Sequence, residues 1–330
     1  MIYLNSKLHL ITPFLLSLIV ACQGDNLNAD IHDSAVIETS STQVISLNSG
    51  TDITNAIFVA TSADCANYAD AYFSQVMDVD RRIEFDGKLD IVVSEDSCTL
   101  ISNNIPNHNF NDGAQPFANN VAEVEKRLVI SRTPQLADTT TALSQGFWDA
   151  VMLNGVVVDR LSAGCWDDTR ETNVPAGCDA RRAKWLIDPI GSNGFFNEDS
   201  HNAHAQPDGS YHYHSNPNAM FDDNPGPNRS PVIGFAADGF PIYGPYFIDP
   251  TTGEVRKAKS GYTLKDGTRP DGPGGEYDGF YVQDWEFTDS GDLDACNGMM
   301  VGDRYGYYVT DTYPWIIECF RGKPHESFQK

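Results

Sequence analysis

Short stretches in which apolar and polar residues alternate recur along the chain from about residue 52, separated by turn residues. Successive side chains of a strand point to opposite faces, so each stretch predicts a strand with one buried face. Patterns with helical spacing are few; one of them, from Cys65 to Val76, predicts a helix. We therefore expect a β-rich, mixed β fold with few short helices.

The clearest hairpin lies between Ala150 and Asp159. Two apolar arms flank Asn154-Gly155, a dipeptide that tolerates positive φ at both turn positions. Because both arms are apolar without interruption, we expect both of their faces to be buried at the centre of the core. Another turn, Asp238-Gly239, follows the apolar strand predicted for residues 231–236.

The strictly alternating segment 208–217 carries the strongest functional signal in the chain. An Asp-Gly turn begins it, and an Asn-Pro pair ends it because the residue before a proline is pushed out of the helical region. Between them, Tyr211 and Tyr213 share one face of the predicted strand, and His212 and His214 share the other. We expect the tyrosine rings to be buried and the two imidazoles to reach a common metal ion.

Two further histidines precede this strand in a loop rich in glycine and asparagine, so four of the eight histidines lie within fourteen residues. His201 and His204 complete a candidate ligand set with His212 and His214. The arrangement suits two ligands from a strand and a third from the preceding loop, which leaves a coordination position open for water or substrate. A strand whose histidines simply face water is the alternative.

Asp238 is the one carboxylate in the turn-rich segment 238–245. It is a candidate general base beside the metal; alternatively it begins an Asx turn and bonds only its own backbone. A set of imidazoles predicts zinc or copper as the divalent ion, and calcium stays possible because many loops are rich in aspartate. His108 lies alone in the predicted loop 103–120, where a single histidine is more often incidental than a ligand.

The cysteine count indicates an oxidising compartment. Six of the seven cysteines follow Cys22, and an even number without a Cys-x-x-Cys spacing favours disulfides over a thiolate metal site. Six cysteines allow fifteen pairings, and we expect the sequential one, in which each bridge closes a local loop. A single large disulfide-stapled domain is therefore expected, with the bridges Cys65–Cys98, Cys165–Cys178 and Cys296–Cys319.

The first residues predict export to the cell envelope. Residues 1–21 form an apolar run after Lys7 and end in Ala21-Cys22, which resembles a bacterial lipoprotein signal. Cys22 would then carry the lipid that binds the protein to a membrane, and residues 22–51, rich in Ser, Thr, Asn and Asp, predict a flexible tether. A simple secretory signal with an incidental cysteine is the alternative.

The charge excludes one class of partner. The formal net charge of −24 repels phosphate groups and no basic cluster offsets it, so we expect no nucleic-acid binding. No Gly-x-Ser-x-Gly elbow, phosphate loop or dinucleotide fingerprint occurs. A small molecule, a glycan or a peptide remains as the substrate, and the oligomeric state stays open.

Three separated motifs resemble the YHYH domain family of secreted bacterial proteins: Gly-Ser-Tyr-His-Tyr-His at 209–214, Gly-Phe-Ala-Ala-Asp-Gly-Phe-Pro-Ile-Tyr-Gly-Pro at 234–245, and the closing segment 293–322. The resemblance implies a family domain over residues 125–322. Residues 52–124 are then expected as an N-terminal extension packed on it, with a separate small domain as the alternative, and residues 323–330 as a tail. The family tends to repeat its Tyr-His-Tyr-His near the C-terminus, where this chain reads Tyr-Gly-Tyr-Tyr at 305–308, and no further repeat is visible.

Two functional hypotheses remain from the sequence. The first is an extracytoplasmic metal-dependent enzyme, a hydrolase or an oxidoreductase, in which His204, His212 and His214 hold the ion. The second is a non-catalytic metal-binding or surface-interaction protein, in which the ion is fully coordinated, for instance by all four clustered histidines. The number of protein ligands and the access to the ion discriminate between them.

Overall fold

The computed structural model describes residues 50–330. The signal segment 1–21, Cys22 and nearly all of the tether lie outside the described residues, so the expectations for them stay predictions. Nothing helical between residues 50 and 330 has the length and apolar character needed to cross a bilayer. The helices of this part are short 3-10 turns at Cys65–Tyr68, Asn218–Met220, Val282–Asp284 and Glu326–Phe328.

Strands make up the regular structure of the same residues. The first ten are β1 (Thr51–Asp52), β2 (Ala71–Asp78), β3 (Ile83–Val93), β4 (Ser97–Ser102), β5 (Lys126–Ser131), β6 (Thr141–Ala142), β7 (Ala150–Met152), β8 (Val157–Val158), β9 (Cys165–Asp167) and β10 (Thr172–Val174). The next eleven are β11 (Ala203–Ala205), β12 (Tyr211–Tyr213), β13 (Val232–Ala236), β14 (Pro241–Tyr243), β15 (Tyr246–Ile248), β16 (Val255–Lys257), β17 (Tyr262–Leu264), β18 (Trp285–Phe287), β19 (Gly298–Val301), β20 (Arg304–Tyr308) and β21 (Cys319–Phe320).

The first five strands form one sheet in the order β1-β2-β3-β4-β5, in which β2 to β5 are antiparallel neighbours. The helix predicted from Cys65 to Val76 is wrong. Cys65–Tyr68 is a single 3-10 turn, after which the chain enters β2, where Val76 is buried and both of its neighbours are exposed. Eight consecutive pairs with β3 fix this extended form, and such a long ladder outweighs a short local period of apolar residues.

The second large sheet has eight strands in the order β11-β12-β8-β7-β13-β14-β20-β19. The hairpin β7–β8 lies inside this sheet and is buried on both faces, as its apolar arms predict. Its turn differs from the expected one, because Gly155 alone has a positive φ, of 86°. Asn154 instead bonds through its side chain, with Oδ1 accepting from the backbone N–H of Val156 at 3.2 Å.

The eight-stranded sheet consists of two halves with the same arrangement. In each half, a hairpin is followed later in the chain by a second strand pair, whose last strand lies parallel to the last strand of the hairpin. The first half contains β7, β8, β11 and β12, and the second half contains β13, β14, β19 and β20. The halves meet where β7 and β13 pair antiparallel.

One continuous cluster of buried apolar residues joins the two large sheets, from Leu100 on β4 to Val157 on β8. The predicted disulfides are confirmed: Cys65–Cys98, Cys165–Cys178 and Cys296–Cys319 close loops of 33, 13 and 23 residues. The β-rich fold class is confirmed as well. Disulfides persist in oxidising compartments, so three of them indicate an extracytoplasmic protein.

Candidate metal centre

The register of two antiparallel strands brings three histidines together. His204 on the edge strand β11 lies directly opposite His212 on β12, and His214 follows two residues later on the same face. Side chains directly opposite each other on one face lie about 5 Å apart at Cβ, within reach of a shared ion. We call His204, His212 and His214 the histidine cluster. The sequence predicted that the third ring comes from a loop. In the structure His204 lies in a strand instead, because β11 pairs with β12.

The Nε2 atoms of the cluster converge. Nε2 of His214 lies 3.2 Å from Nε2 of His212 and 3.0 Å from Nε2 of His204. A tetrahedral zinc ion with bonds of about 2.0–2.1 Å to nitrogen holds those nitrogens about 3.4 Å apart. The observed separations are thus close to the edge of a coordination tetrahedron, and the three residues fit a metal ion.

Backbone carbonyl groups orient two of the rings. His204 Nδ1 lies 2.8 Å from the carbonyl oxygen of Phe196, and His212 Nδ1 lies 3.1 Å from that of Ser210. A carbonyl oxygen only accepts, so each Nδ1 carries the proton and each Nε2 directs its lone pair to the centre. Both short separations involve Nε2 of His214, which can carry a proton between its neighbours or share a cation with them.

Burial keeps these imidazoles in the form that binds metals. His212 and His214 are 1% and 3% exposed, and His204 is partly buried. Burial penalises the charged imidazolium and lowers the pKa of all three rings, well below the usual value for His212 and His214. The rings are therefore neutral at pH 7, and an ion does not have to displace protons from them.

The histidine cluster lines a cavity of about 730 Å³, a size typical of small-molecule sites. Asp159, the residue after β8, lines it too, and its Oδ2 accepts from Gln206 Nε2 at 2.8 Å and from Lys330 Nζ. Its Oδ1 is buried and has no hydrogen-bond partner within residues 50–330. The cavity thus combines three convergent imidazoles with one carboxylate that is already held by Gln206 and Lys330.

His201, the fourth predicted ligand, lies on the other side of β12. Its ring packs at a tilt of 43° against His108 with a centroid separation of 3.8 Å, and His108 Nε2 is 2.6 Å from the hydroxyl of Tyr213. Asn154 Nδ2 donates to the same hydroxyl at 2.9 Å. Because alternate residues of a strand face opposite ways, this tyrosine side is separated from the histidine cluster by the sheet itself. His108, predicted to be incidental, is buried and forms part of it.

Asp238 is placed in the second half of the sheet, where its Oδ2 accepts from the hydroxyl of Tyr307 at 2.6 Å and from the N–H of Gly322 at 2.9 Å. Its Oδ1 accepts from the N–H of Phe240 at 3.4 Å, the bond of an Asx turn. None of these contacts reaches the histidine cluster, and Asp238 is not among the residues that line the cavity. Its position in the half corresponds to that of Asn154, which likewise bonds a tyrosine hydroxyl.

The profile of the YHYH protein family matches residues 127–322, more than half of the chain. The chain belongs to the YHYH protein family. The resemblance read from the three motifs is thereby confirmed, and the matched region contains the whole histidine cluster as well as Asp159. Lys330, which lines the cavity, and His108, which packs on the tyrosine side of β12, lie outside the matched region. No curated protein and no solved structure matches the chain.

The second Tyr-His-Tyr-His expected of the family falls on β20 in the second half of the sheet. There the chain has Gly306 and Tyr308 at the positions of His212 and His214, so this half supplies no imidazole to a site. Sequence reasoning missed Asp159 and Lys330. An acid directly after a fully apolar hairpin arm was the available signal for Asp159, whereas nothing local pointed to Lys330.

Proposed function

We propose that this protein is an extracytoplasmic metal-dependent enzyme that holds one divalent ion on His204, His212 and His214. The proposal rests on one observation: the three converging Nε2 atoms line an open cavity, and no fourth His, Cys, Asp or Glu ligand from residues 50–330 joins them. Three protein ligands with an accessible position are typical of catalytic zinc sites, whereas structural sites are closed by four.

The donor set narrows the identity of the ion. Imidazole nitrogen suits zinc and copper, while calcium requires six to eight oxygen ligands. Within residues 50–330, the cluster contains no carboxylate, so calcium does not fit it. An ion of this kind would polarise a bound carbonyl group or acidify a bound water towards neutrality, which is the chemistry of hydrolysis.

A hydrolase is favoured over a tyrosine-dependent oxidoreductase because of where the tyrosine hydroxyls lie. Tyr211 donates to Asp199 at 2.8 Å, and Tyr213 is held by His108 and Asn154, all on the side of β12 away from the histidine cluster. Neither hydroxyl faces the cavity. The catalytic role first considered for Asp238 is not part of this proposal, since its bonds hold Tyr307 and the segment near Gly322.

We also propose that a lipid on Cys22 attaches the enzyme to a membrane of the cell envelope, with residues 22–51 as the tether. The support is the sequence of the signal segment together with the disulfides, which indicate export. Replacement of Cys22 by serine is expected to move the protein from the membrane fraction to the soluble fraction after cell breakage.

Metal content tests the proposed site. Purified wild-type protein is expected to contain about one zinc or copper ion per chain by elemental mass spectrometry. His212→Ala removes a ligand and is expected to abolish that content, whereas His201→Ala, the matched control on the other side of β12, leaves it unchanged. Equal loss in both variants, or no ion in wild-type protein that binds none when zinc is added, contradicts the proposal.

Access to the ion separates an enzyme from a storage protein. Cobalt(II) bound to the cluster has a visible spectrum that depends on its coordination, and added azide is expected to change it by entering the open position. The spectrum of a closed site does not respond to azide. That second result, with one ion per chain, would favour a non-catalytic metal-binding protein.

A further inference from the structure

The walls of the cavity beyond the histidine cluster are largely apolar. The apolar lining residues that carry the argument are Leu161, Pro175, Phe195, Phe196 and Pro207. The rings of Phe195 and Phe196 meet edge to face with their centroids 5.0 Å apart, and Phe196 packs in the same way 6.3 Å from the ring of His204. This aromatic wall therefore begins directly at a proposed metal ligand, where it can pack against a ring carried by a metal-bound ligand.

The side-chain charges of the cavity cancel. Among the described lining residues, Asp159 and Lys330 are the only ones with a full charge, and they are bound to each other. Lys330 Nζ also lies 4.3 Å from the ring centroid of Trp148, which fixes it further. Away from the proposed metal ion, the lining therefore offers an anionic group no unpaired Arg or Lys side chain.

A second part of the cavity lining, the loop 165–178, is held in place before any ligand enters. The Cys165–Cys178 disulfide closes the loop that contributes Pro175 to the lining. Gln145 Nε2 donates to the carbonyl oxygens of Ser162 at 2.6 Å and of Cys178 at 3.1 Å, which joins that loop to the opposite segment. A preformed apolar wall contributes to affinity because little ordering is required on binding.

We propose that the ligand of this cavity is a small aromatic compound that carries an oxygen able to bind the metal ion, an extension that rests on the proposed function. This oxygen reaches the metal ion, and the uncharged ring packs on Phe195 and Phe196. The open position at the histidine cluster accounts for the polar contact, and the aromatic wall accounts for the apolar one.

Hydroxamates test this pattern because they bind metal ions through oxygen. Zinc-loaded full-length protein is titrated calorimetrically with acetohydroxamate, benzohydroxamate and 4-carboxybenzohydroxamate. Burial of the phenyl ring is expected to make benzohydroxamate bind about tenfold to a hundredfold more tightly than acetohydroxamate. The added carboxylate is expected to lower the affinity about tenfold or more, because the apolar wall offers it no unpaired cation.

Phe195→Ala locates the ring. The ring of Phe195 pairs with Phe196 and Phe280, whereas the ring beside His204 is that of Phe196. The variant is therefore expected to bind acetohydroxamate as the wild type does, while its preference for benzohydroxamate falls to within about threefold. Equal affinities for acetohydroxamate and benzohydroxamate in zinc-loaded wild type overturn the aromatic class, and undiminished binding of the carboxylated compound overturns the uncharged ring. Protein that takes up no zinc and binds neither compound instead overturns the proposed function itself.

Discussion

The two halves of the eight-stranded sheet have the same strand arrangement, yet only the first half brings histidines together. In the first half, the turn residue Asn154 bonds the hydroxyl of Tyr213; in the second half, Asp238 bonds the hydroxyl of Tyr307 in the same place. Both turns are followed by a glycine with positive φ, 86° at Gly155 and 90° at Gly239. The bonds from the turn residue to the tyrosine hydroxyl occur in both halves, so they belong to the structure of the sheet and not to the proposed metal site.

The differences between the halves collect around the cavity. Where β11 carries His204, β19 carries Met299, opposite the backbone of Gly306. Where the first half has Asp159 after β8, the second half has Tyr243, whose ring stacks on Tyr308 at 5.1 Å. A Cβ added to Gly306 would meet the ring of Tyr243 at 2.5 Å, so that ring occupies the space a histidine would need. Asp159 lines the cavity in the first half, whereas a packing residue, Tyr243, takes its place in the second half.

Metal-linked stability is the largest expected difference between the halves. Zinc at about a thousandfold excess over its Kd is expected to stabilise the wild type by about 4 kcal/mol, because the unfolded chain lacks the site. His204→Met, which gives β11 the residue found on β19, replaces a good zinc ligand by a thioether, and we expect the gain to fall below about 1 kcal/mol. Chemical denaturation with and without zinc measures both values.

The control for this prediction is Met299→Leu, the matched change in the second half. It alters no proposed ligand, so the stabilisation by zinc is expected to equal that of the wild type. A loss of the zinc effect in Met299→Leu, or its retention in His204→Met, would show that the ion is held elsewhere.

Tyrosine hydroxyls are expected to contribute equally in both halves. Tyr213→Phe removes the partner of His108 Nε2 and one of the two partners of the Asn154 amide group. Tyr307→Phe removes one of the three donors to Asp238 and the acceptor of the Arg321 N–H. Each substitution is expected to lower the free energy of unfolding by about 1–3 kcal/mol, because it leaves a polar group without its partner. Zinc content, measured on the same preparations, is expected to stay at the wild-type value in both. A loss of zinc in Tyr213→Phe alone would make that hydroxyl part of the metal site.

Local patterns predicted the elements that depend on neighbours in the chain. The alternation of Tyr211 to His214 gave the correct faces, and the sequential disulfides closed loops of at most 33 residues. The hairpin at Asn154 was predicted from its apolar arms, although its side-chain bonds replaced the expected backbone geometry. In each case the deciding interactions span few residues, so a short window of sequence contains them.

Contacts between distant segments escaped prediction. Lys330 reaches Asp159 across 171 residues, and His108 reaches Tyr213 across 105 residues. Lys330 is placed by the bond of its backbone N–H to the carbonyl oxygen of Gly146, and His108 lies in a loop far from β12 along the chain. Contacts between segments so far apart in sequence leave no local signal. For the same reason the repeated arrangement of the two halves was not visible, since the shared residues are few and separated by long insertions.

His108 and Asp238, which bond the hydroxyls of Tyr213 and Tyr307, are expected to make the stability depend on pH in opposite directions. This is the smallest of the expected effects. Burial lowers the pKa of His108 to about 3, so between pH 6.5 and 3 the unfolded chain binds a proton that the folded chain does not. Stability from this residue is complete above about pH 6.5 and falls on acidification, by about 1 kcal/mol at pH 5.5. Burial raises the pKa of Asp238, so above about pH 4 the folded chain holds a proton that the unfolded chain releases, and stability falls as the pH rises to the folded pKa.

Two conservative variants separate the pH dependences that His108 and Asp238 contribute to the free energy of unfolding. His108→Gln is expected to flatten the loss of stability between pH 6.5 and 5, and Asp238→Asn is expected to flatten the opposing loss above pH 4, each measured by urea denaturation across that range. Neither residue belongs to the histidine cluster, so both differences from the wild type are expected to be the same with and without zinc. A zinc-dependent difference in His108→Gln would mean that the tyrosine side of β12 senses the ion, because the two faces share the backbone of a single strand.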